Sequence, residues 1–136
     1  EENVRLNNAD KNIHIFNRGV SGKRGARRLF IDHNNPGGHS MFNGSGGFIE
    51  IDTVSLSDIF DDNGLSHCDF LKMDCEGAEY EILYNTPLEY LKRIKSISME
   101  YHDNGDISGL ASFLEENGFK VTFKKNKDHL LYAKRI

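Results

Sequence analysis

The alternation of apolar and polar residues along the chain predicts a series of short strands. Regular alternation over 48–54 is typical of a half-exposed strand, whereas the compact run of Phe70, Leu71 and Met73 is typical of a strand buried on both faces. Similar patterns predict the remaining strands at 13–17, 27–32 and 96–102, with the central one spanning 69–74, and a final hairpin of 119–124 with 129–134. We expect strand 48–54 to pair with strand 27–32.

Helices are predicted between these strands from apolar spacing and from capping residues. Residues 1–10 have the character of a helix end, and Ala78, Ile82 and Leu83 recur at helical spacing after the central strand. Three further helices have capping signals at their starts, namely Ser55 or Ser57, the Thr-Pro-Leu-Glu capping box at 86–89, and Asp106 or Ser108. Strands that alternate with helices indicate an α/β fold, and right-handed crossovers would make strand 69–74 parallel to strand 96–102.

The junction after strand 69–74 concentrates the candidate chemistry. Asp74, Glu76 and Glu79 surround Gly77, which permits a sharp turn into the following helix. Ligands of open α/β sheets bind at the carboxyl ends of strands, where this turn would lie, although carboxylates also favour a helix N-terminus without any ligand. Lys72, within an apolar strand, would need a buried partner, which Asp74 or Glu100 would supply.

Composition narrows the class of protein. The chain has 136 residues and a net charge of −4, so a single domain is expected and nucleic acid is not an expected partner. It shows no apolar segment long enough for a membrane span and no signal peptide. Cys68 and Cys75 would lie too far apart along a strand to form a disulfide. These features favour a reduced, cytoplasmic setting.

A glycine-rich segment at 34–47 separates two of the predicted strands. It has the composition of a mobile lid or of a backbone that approaches a ligand, and equally that of a plain hairpin tip. The Gly-Ser-Gly-Gly sequence at 44–47 is the only candidate dinucleotide fingerprint. It lacks the third glycine, and a strand follows it rather than a helix, so an oxidoreductase of that type is disfavoured.

The central stretch also resembles a known family. The sequence Lys-Met-Asp-Cys-Glu-Gly-Ala-Glu at 72–79, followed by Leu83, resembles the K-x-D-x-E-G-x-E…L signature of FkbM-type methyltransferases. The resemblance implies a class I, Rossmann-like sheet of mostly parallel strands with a C-terminal antiparallel hairpin. It also implies S-adenosylmethionine as the cofactor, and O-methylation of a sugar or natural product, hence a small-molecule or carbohydrate acceptor.

The resemblance extends from about residue 3 to the C-terminus and finds no counterpart of the family's N-terminal part. Residues 1–136 are therefore expected to form a single partial methyltransferase domain that lacks the N-terminal cofactor-binding strands. Such a sheet would have either a gap or a partner strand at the exposed edge, which gives a route to a homo-oligomer. We also expect weak or absent cofactor binding by these residues alone.

The ends of the two central strands carry the predicted catalytic residues. Lys72 and Asp74 share one face by strand alternation, and Ser98, Glu100 and His102 share one face of the neighbouring strand. Histidine changes charge near neutral pH, so His102 is the expected general base for an acceptor hydroxyl. Asp74 and Glu100 are expected to orient this histidine, to hold acceptor hydroxyls, or to complement the charge of the cofactor.

The remaining site residues are binding residues. The resemblance places Asp74 near the methionine end of the cofactor, and Arg18 and Gly19 near its adenine. Acceptor binding is assigned to Glu76, which lies just beyond the strand, and to His39 and Ser40, whose loop resembles a small-residue loop of the family.

Two alternatives stay open. A metal-assisted site would use Asp74, Glu100 and His102, with Glu76 and His39 as further ligands, although Glu-x-His at 100–102 is the only local ligand pairing. A non-catalytic interaction domain is the other alternative, and it gains weight if the cofactor-binding half is absent.

Overall fold

The structure is a computed structural model that describes residues 1–33, 38–42, 46–123 and 129–136. Its helices are α1 (Glu2–Leu6), α2 (Leu56–Asp62), α3 (Glu79–Asn85), α4 (Leu88–Leu91) and α5 (Ile107–Glu116). Its strands are β1 (Gly19–Val20), β2 (Gly25–Phe30), β3 (Phe48–Val54), β4 (Leu71–Met73), β5 (Ser96–Glu100), β6 (Phe119–Phe123) and β7 (Leu130–Arg135). Residues 34–37 and 43–45 of the glycine-rich segment lie outside the described residues. The role of this segment as a lid therefore stays a prediction.

The strands form two separate sheets in the described part of the chain. One has the order β1-β3-β2 and the other the order β4-β5-β7-β6. The pairs β1–β3 and β4–β5 are parallel, whereas β2–β3, β5–β7 and β6–β7 are antiparallel. The α/β class, the pairing of 48–54 with 27–32 and the C-terminal hairpin are thus confirmed. The expectation of mostly parallel strands is wrong, because the sheets are mixed.

The parallel pair β4–β5 sets the position of the site. Lys72 pairs with Ser98 and Met73 with Met99, as the crossover through α3 and α4 predicted. Both strands therefore end at the same edge of the sheet. The segments that follow them, 74–78 and 101–106, are brought side by side.

One face of the larger sheet carries the core. Residues that alternate along its strands, such as Met73, Ile97, Met99 and Leu131, are at most 4% exposed, and they share one cluster with apolar residues of α3 and α5. The opposite face is open, since the Lys72 side chain is 69% exposed. The expected burial of Lys72 is wrong, and so is burial of both faces of the predicted strand 69–74, because Phe70, which directly precedes β4, is also 62% exposed.

The predicted strand at 13–17 does not form in the described structure, and the first strand begins later, at Gly19. Ile13, Ile15 and Phe16 are about half exposed and have no strand beside them. Gly19 pairs with Thr53 instead, and a Cβ there would lie 2.7 Å from Ile51 Cδ1. The absence of a side chain at Gly19 therefore lets the chain approach β3 closely there.

The capping predictions have mixed outcomes. Ser55 and Asp58 form a complete capping box at α2, and Asp106 caps α5. The capping box predicted at 86–89 is wrong, because the Thr86 hydroxyl donates to the Ile82 carbonyl at 2.7 Å and Pro87 is the N-cap of α4. A hydroxyl near a helix end can bond back to the preceding turn, and here that bond replaces the cap.

A charged contact links the two sheets through α3. Arg27 of β2 donates to the Glu81 carboxylate at 2.8 Å, and the Gly22 amide donates to the same carboxylate at 3.2 Å. Both side chains of the ion pair are less than one-third exposed. This contact holds the smaller sheet beside the end of β4.

No helix in the described residues is long and apolar enough to cross a membrane.

Candidate functional site

A tight turn follows β4 and is held by two neighbouring loops. Glu76 has φ 50° and Gly77 φ 103°, so both lie in the left-handed region. The Ser40 hydroxyl donates to the Glu76 carbonyl at 2.7 Å, and the Asn104 amide donates to the Gly77 carbonyl at 2.8 Å. Because both carbonyls are fixed, the Glu76 side chain is directed consistently toward the end of β5.

Glu79, the first residue of α3, holds the same turn from within. Its side chain is fully buried, and its carboxylate accepts the Cys75 amide at 2.7 Å and the Gly77 amide at 3.1 Å. A carboxylate at a helix start also interacts favourably with the helix dipole. Burial of this charge is thus offset by two backbone hydrogen bonds.

His102 lies between two carboxylates just beyond β5. Its Nε2 is 3.3 Å from Glu76 Oε2, and its Nδ1 is 3.3 Å from Glu79 Oε1. The second contact lacks hydrogen-bond alignment, so the buried Nδ1 has no hydrogen-bond partner in the described structure. The Tyr80 hydroxyl donates to the His102 carbonyl at 3.0 Å and fixes its backbone.

Two side chains beside Glu79, those of Cys75 and Tyr80, have raised pKa values. Burial, and secondarily the Glu79 charge, raises the pKa of the Cys75 thiol to about 11. The same two causes, in the same order, raise the pKa of the Tyr80 hydroxyl to about 12. Cys75 therefore remains a neutral thiol near pH 7, which excludes it as a thiolate nucleophile there. Tyr80 remains a hydrogen-bond donor.

A cleft of about 750 Å³ lies between the smaller sheet and the turn after β4. The predicted binding residues that line it are Arg18, Gly19, His39, Asp74 and Glu76. Glu50 and Asp52 of β3 add two further carboxylates, and Leu29, Met41, Ile49 and Ile51 add apolar surface. The structure thus brings the residues assigned to the cofactor and to the acceptor into one acidic cleft.

A smaller cavity of about 350 Å³ adjoins this turn. His102, Ser40 and Glu76 line it, together with Phe42, Asp103 and Asn104. Glu76 therefore borders both spaces, with Asp74 on the side of the cleft and His102 on the side of the cavity. Ligand atoms of Asp74, Glu76 and His102 lie within 4.8 Å of one another.

Two predicted residues do not have the expected positions. Glu100 is exposed, pairs across the sheet with Leu130 and is absent from the cluster of Asp74, Glu76 and His102. The expectation that Glu100 orients His102 is wrong, because the carboxylates that lie near the His102 ring in the described structure are those of Glu76 and Glu79. Ser40 is 7% exposed, and its hydroxyl contacts the backbone of Glu76 and Phe42. It therefore supports the turn.

Sequence reasoning did not identify the contacts of Glu79, Tyr80 and Asn104. Glu79 was visible as a carboxylate at the start of a helix, a position from which it can accept backbone amides. Its proximity to His102 depends on the pairing of β4 with β5, which brings residues 23 positions apart in sequence into contact. No local pattern signalled Asn104.

Comparisons with known proteins agree with the resemblance in the sequence. Methyltransferase sdnD of Sordaria araneosa is 29% identical over 83 residues, which cover 54% of this chain. The matched region spans only 32% of that protein. No solved structure gives a significant match. The family model of the Methyltransferase FkbM domain matches residues 1–121. The chain therefore belongs to the FkbM methyltransferase domain family.

Proposed function

We propose that this protein transfers a methyl group from S-adenosylmethionine to a hydroxyl oxygen of a small-molecule or carbohydrate acceptor. The observation that carries the proposal is the convergence of Asp74, Glu76 and His102 where two parallel strands end beside an acidic cleft. Membership of the FkbM family supports the reaction type and, through it, the class of methyl donor.

The charges of the cleft fit such a donor. S-adenosylmethionine has a cationic sulfonium and an ammonium group, and Asp74 and Glu76 provide opposite charges on one side of the cleft. Arg18, on the other side, is assigned to the adenine end of the donor by the family resemblance, although it also lies 3.7 Å from Asp62. Gly19 would allow close approach of the donor, but its packing against Ile51 already accounts for the glycine.

The bound donor supplies an activated methyl group, so the protein needs only to position the acceptor and remove its proton. His102 is partly accessible, with 30% of its side chain exposed, and Nε2 lies toward Glu76 and the smaller cavity. We assign His102 as the general base that accepts the hydroxyl proton at Nε2. Glu76 would then stabilise the positive charge that forms on the imidazole.

A divalent cation is a second candidate ligand at the same position. One carboxylate oxygen each from Asp74 and Glu76 and one nitrogen of His102 are close enough to bind a single ion. Here Glu76 takes the place that the sequence suggested for Glu100. A bound cation would acidify the acceptor hydroxyl, and His102 would act as a ligand rather than as a base. Transfer that persists in EDTA favours the base, and transfer restored by Mg²⁺ or Mn²⁺ favours the cation.

Donor binding can be tested first, by calorimetry with S-adenosylmethionine. Asp74→Asn should weaken whatever affinity is measured, because it removes a charge opposite the sulfonium. An unchanged isotherm for Asp74→Asn would remove Asp74 from the donor site.

Transfer can then be tested with isotopically labelled donor and a panel of hydroxylated acceptors, read by mass spectrometry. His102→Gln should lower turnover on the order of a hundredfold or more while donor affinity stays the same. His67→Gln is the matched control, because His67 is exposed and contacts Asp69 at the opposite end of β4. Equal turnover in His102→Gln and wild type would refute the assignment of His102.

A further inference from the structure

One polar contact in the site is not explained by the capping of the turn. His102 Nδ1 is buried, has no hydrogen-bond partner among the described residues, and lies 3.3 Å from an oxygen of Glu79. A buried polar atom without a partner is unfavourable, so a nearby acceptor can be expected to satisfy it. A reorientation of the ring that aligns Nδ1–H with that oxygen would satisfy both atoms.

Glu79 can accept this additional hydrogen bond. Its Oε1 accepts the Cys75 amide at 2.7 Å, and its Oε2 accepts the Gly77 amide at 3.1 Å, with a longer contact of 3.4 Å from the same amide to Oε1. An ionised carboxylate has about four acceptor sites, so these two amide donors leave capacity for a third donor. The hydrogen bonds from the two amides account for an acidic residue at the start of α3. They do not account for the contact of that residue with the ring of His102.

From this geometry, we infer that Glu79 is a positioning residue for His102. It accepts the Nδ1 hydrogen and so selects the tautomer in which Nε2 is unprotonated and lies toward Glu76 and the smaller cavity. The use of that nitrogen as a base rests on the proposed function; the tautomer does not. In the proposed reaction, the acceptor O–H bond breaks and its proton binds Nε2, while the acceptor oxygen would bond to the methyl carbon as the S–CH₃ bond of the donor breaks and leaves a neutral thioether.

The consequence for the imidazole follows from charge. Once Nε2 is protonated, the ring is a cation between Glu79 on the Nδ1 side and Glu76 on the Nε2 side, each at 3.3 Å. Two flanking carboxylates stabilise that cation. In the neutral ring, only one nitrogen carries a hydrogen. Nδ1 and Glu79 are buried, so water does not replace a hydrogen bond between them, whereas the Glu76 side chain is 34% exposed and water can solvate that side of the ring.

The inference can be tested without any acceptor, by long-range ¹H–¹⁵N NMR of the histidine rings in the full chain. The chain has six histidines, so His102→Gln identifies the signals of His102. The variants are Glu79→Gln and, as the matched control, Glu81→Gln on the same helix, whose carboxylate contacts Arg27 instead. Spectra are recorded with EDTA and at a pH where the rings are neutral.

We expect the Nδ1–H tautomer of His102 in wild type and in Glu81→Gln. In Glu79→Gln, the ratio of Nδ1–H to Nε2–H should fall roughly tenfold, since a hydrogen bond to a charged partner contributes at least that much. Backbone amide signals of Cys75 and Gly77 report whether the turn is retained. An unchanged ratio with a retained turn would overturn the inference.

Wild type alone provides a second test in case Glu79→Gln does not fold. An Nε2–H tautomer of His102 in wild type would overturn the inference without any variant, whereas Nδ1–H supports it. In a form that transfers methyl groups, Glu79→Gln should lower kcat while KM for the donor changes little. If the tautomer is as expected but no acceptor is methylated, the positioning role stands and the proposed function fails.

Discussion

Gly77→Ala is expected to disrupt the turn that carries the site, for two separable reasons. Gly77 has φ 103°, a conformation that residues with a Cβ rarely adopt. An added Cβ would also lie 2.7 Å from Asn104 Nδ2 and 3.3 Å from Phe42 Cδ2. The Asn104 atom is the donor to the Gly77 carbonyl, so the methyl group would displace the hydrogen bond that holds the turn.

The magnitude follows from these two terms. Backbone strain of this kind costs roughly 1–3 kcal/mol. Loss of a neutral hydrogen bond costs about 1 kcal/mol. The free energy of unfolding of Gly77→Ala should therefore fall by about 2–4 kcal/mol, a large part of the stability of a small domain.

Urea unfolding followed by circular dichroism measures this change, and Gly64→Ala is the matched control. Gly64 also has a positive φ, 60°, but an added Cβ would meet no atom within 4 Å. Its substitution should cost only about 1–2 kcal/mol, from the backbone alone. Asn104→Ala in the Gly77→Ala background should add little, because the contact is already lost. Equal losses for Gly77→Ala and Gly64→Ala would refute the role of crowding by Asn104.

Two further predictions concern stability. Ser55→Ala should lower the free energy of unfolding by about 1 kcal/mol, because the hydroxyl accepts the Asp58 amide at 3.1 Å, whereas the exposed helical substitution Ser112→Ala should not. The pKa of Cys75 is raised to about 11, above the ordinary value of 9.0. The contribution of the neutral thiol to the free energy of unfolding is therefore full below pH 9 and is lost as the pH rises through 11. Wild type should lose about 2–3 kcal/mol more than Cys75→Ala over that range, since each pKa unit is worth about 1.36 kcal/mol. Urea titrations at pH 8 to 11 measure the difference, and parallel curves for the two proteins would contradict it.

The elements that sequence predicted correctly depend on local signals. Ser55, one of the two predicted caps of α2, is three residues from the amide that it caps, and β3 has the predicted bounds, 48–54. Strand 13–17 had the right alternation but lacked a partner, and a strand without a hydrogen-bonded neighbour is not stable. The prediction of a capping box at 86–89 was wrong for a related reason. The hydroxyl of Thr86 has another partner, the carbonyl of Ile82 in the preceding turn of helix.

The site was predictable only in part, because the turn after β4 brings carboxylates to the imidazole that strand alternation does not predict. Asp74, Glu76 and His102 were all expected at one edge, and the parallel pairing of β4 and β5 brings them together. Glu100 was assigned to the same group by extending period-two alternation to His102, which lies beyond the last residue of β5. The left-handed turn then brings Glu76 and Glu79, rather than Glu100, to the imidazole.

Negative charge accumulates where β4 and β5 end, and this limits which ligands the cleft can hold. Lys72 lies 3.7 Å from Asp74, but its side chain is 69% exposed, so water screens most of its effect. An anionic ligand would be repelled, whereas a sulfonium or a divalent cation would be attracted; the two candidate ligands are thus favoured by the same charges and should compete. Glu79 is fully buried and lines neither the cleft nor the smaller cavity, so its side chain does not contact a ligand there. Substitution of Asp74 should thus affect binding, and substitution of Glu79 should affect proton transfer, which makes the two functions of the turn separable by residue.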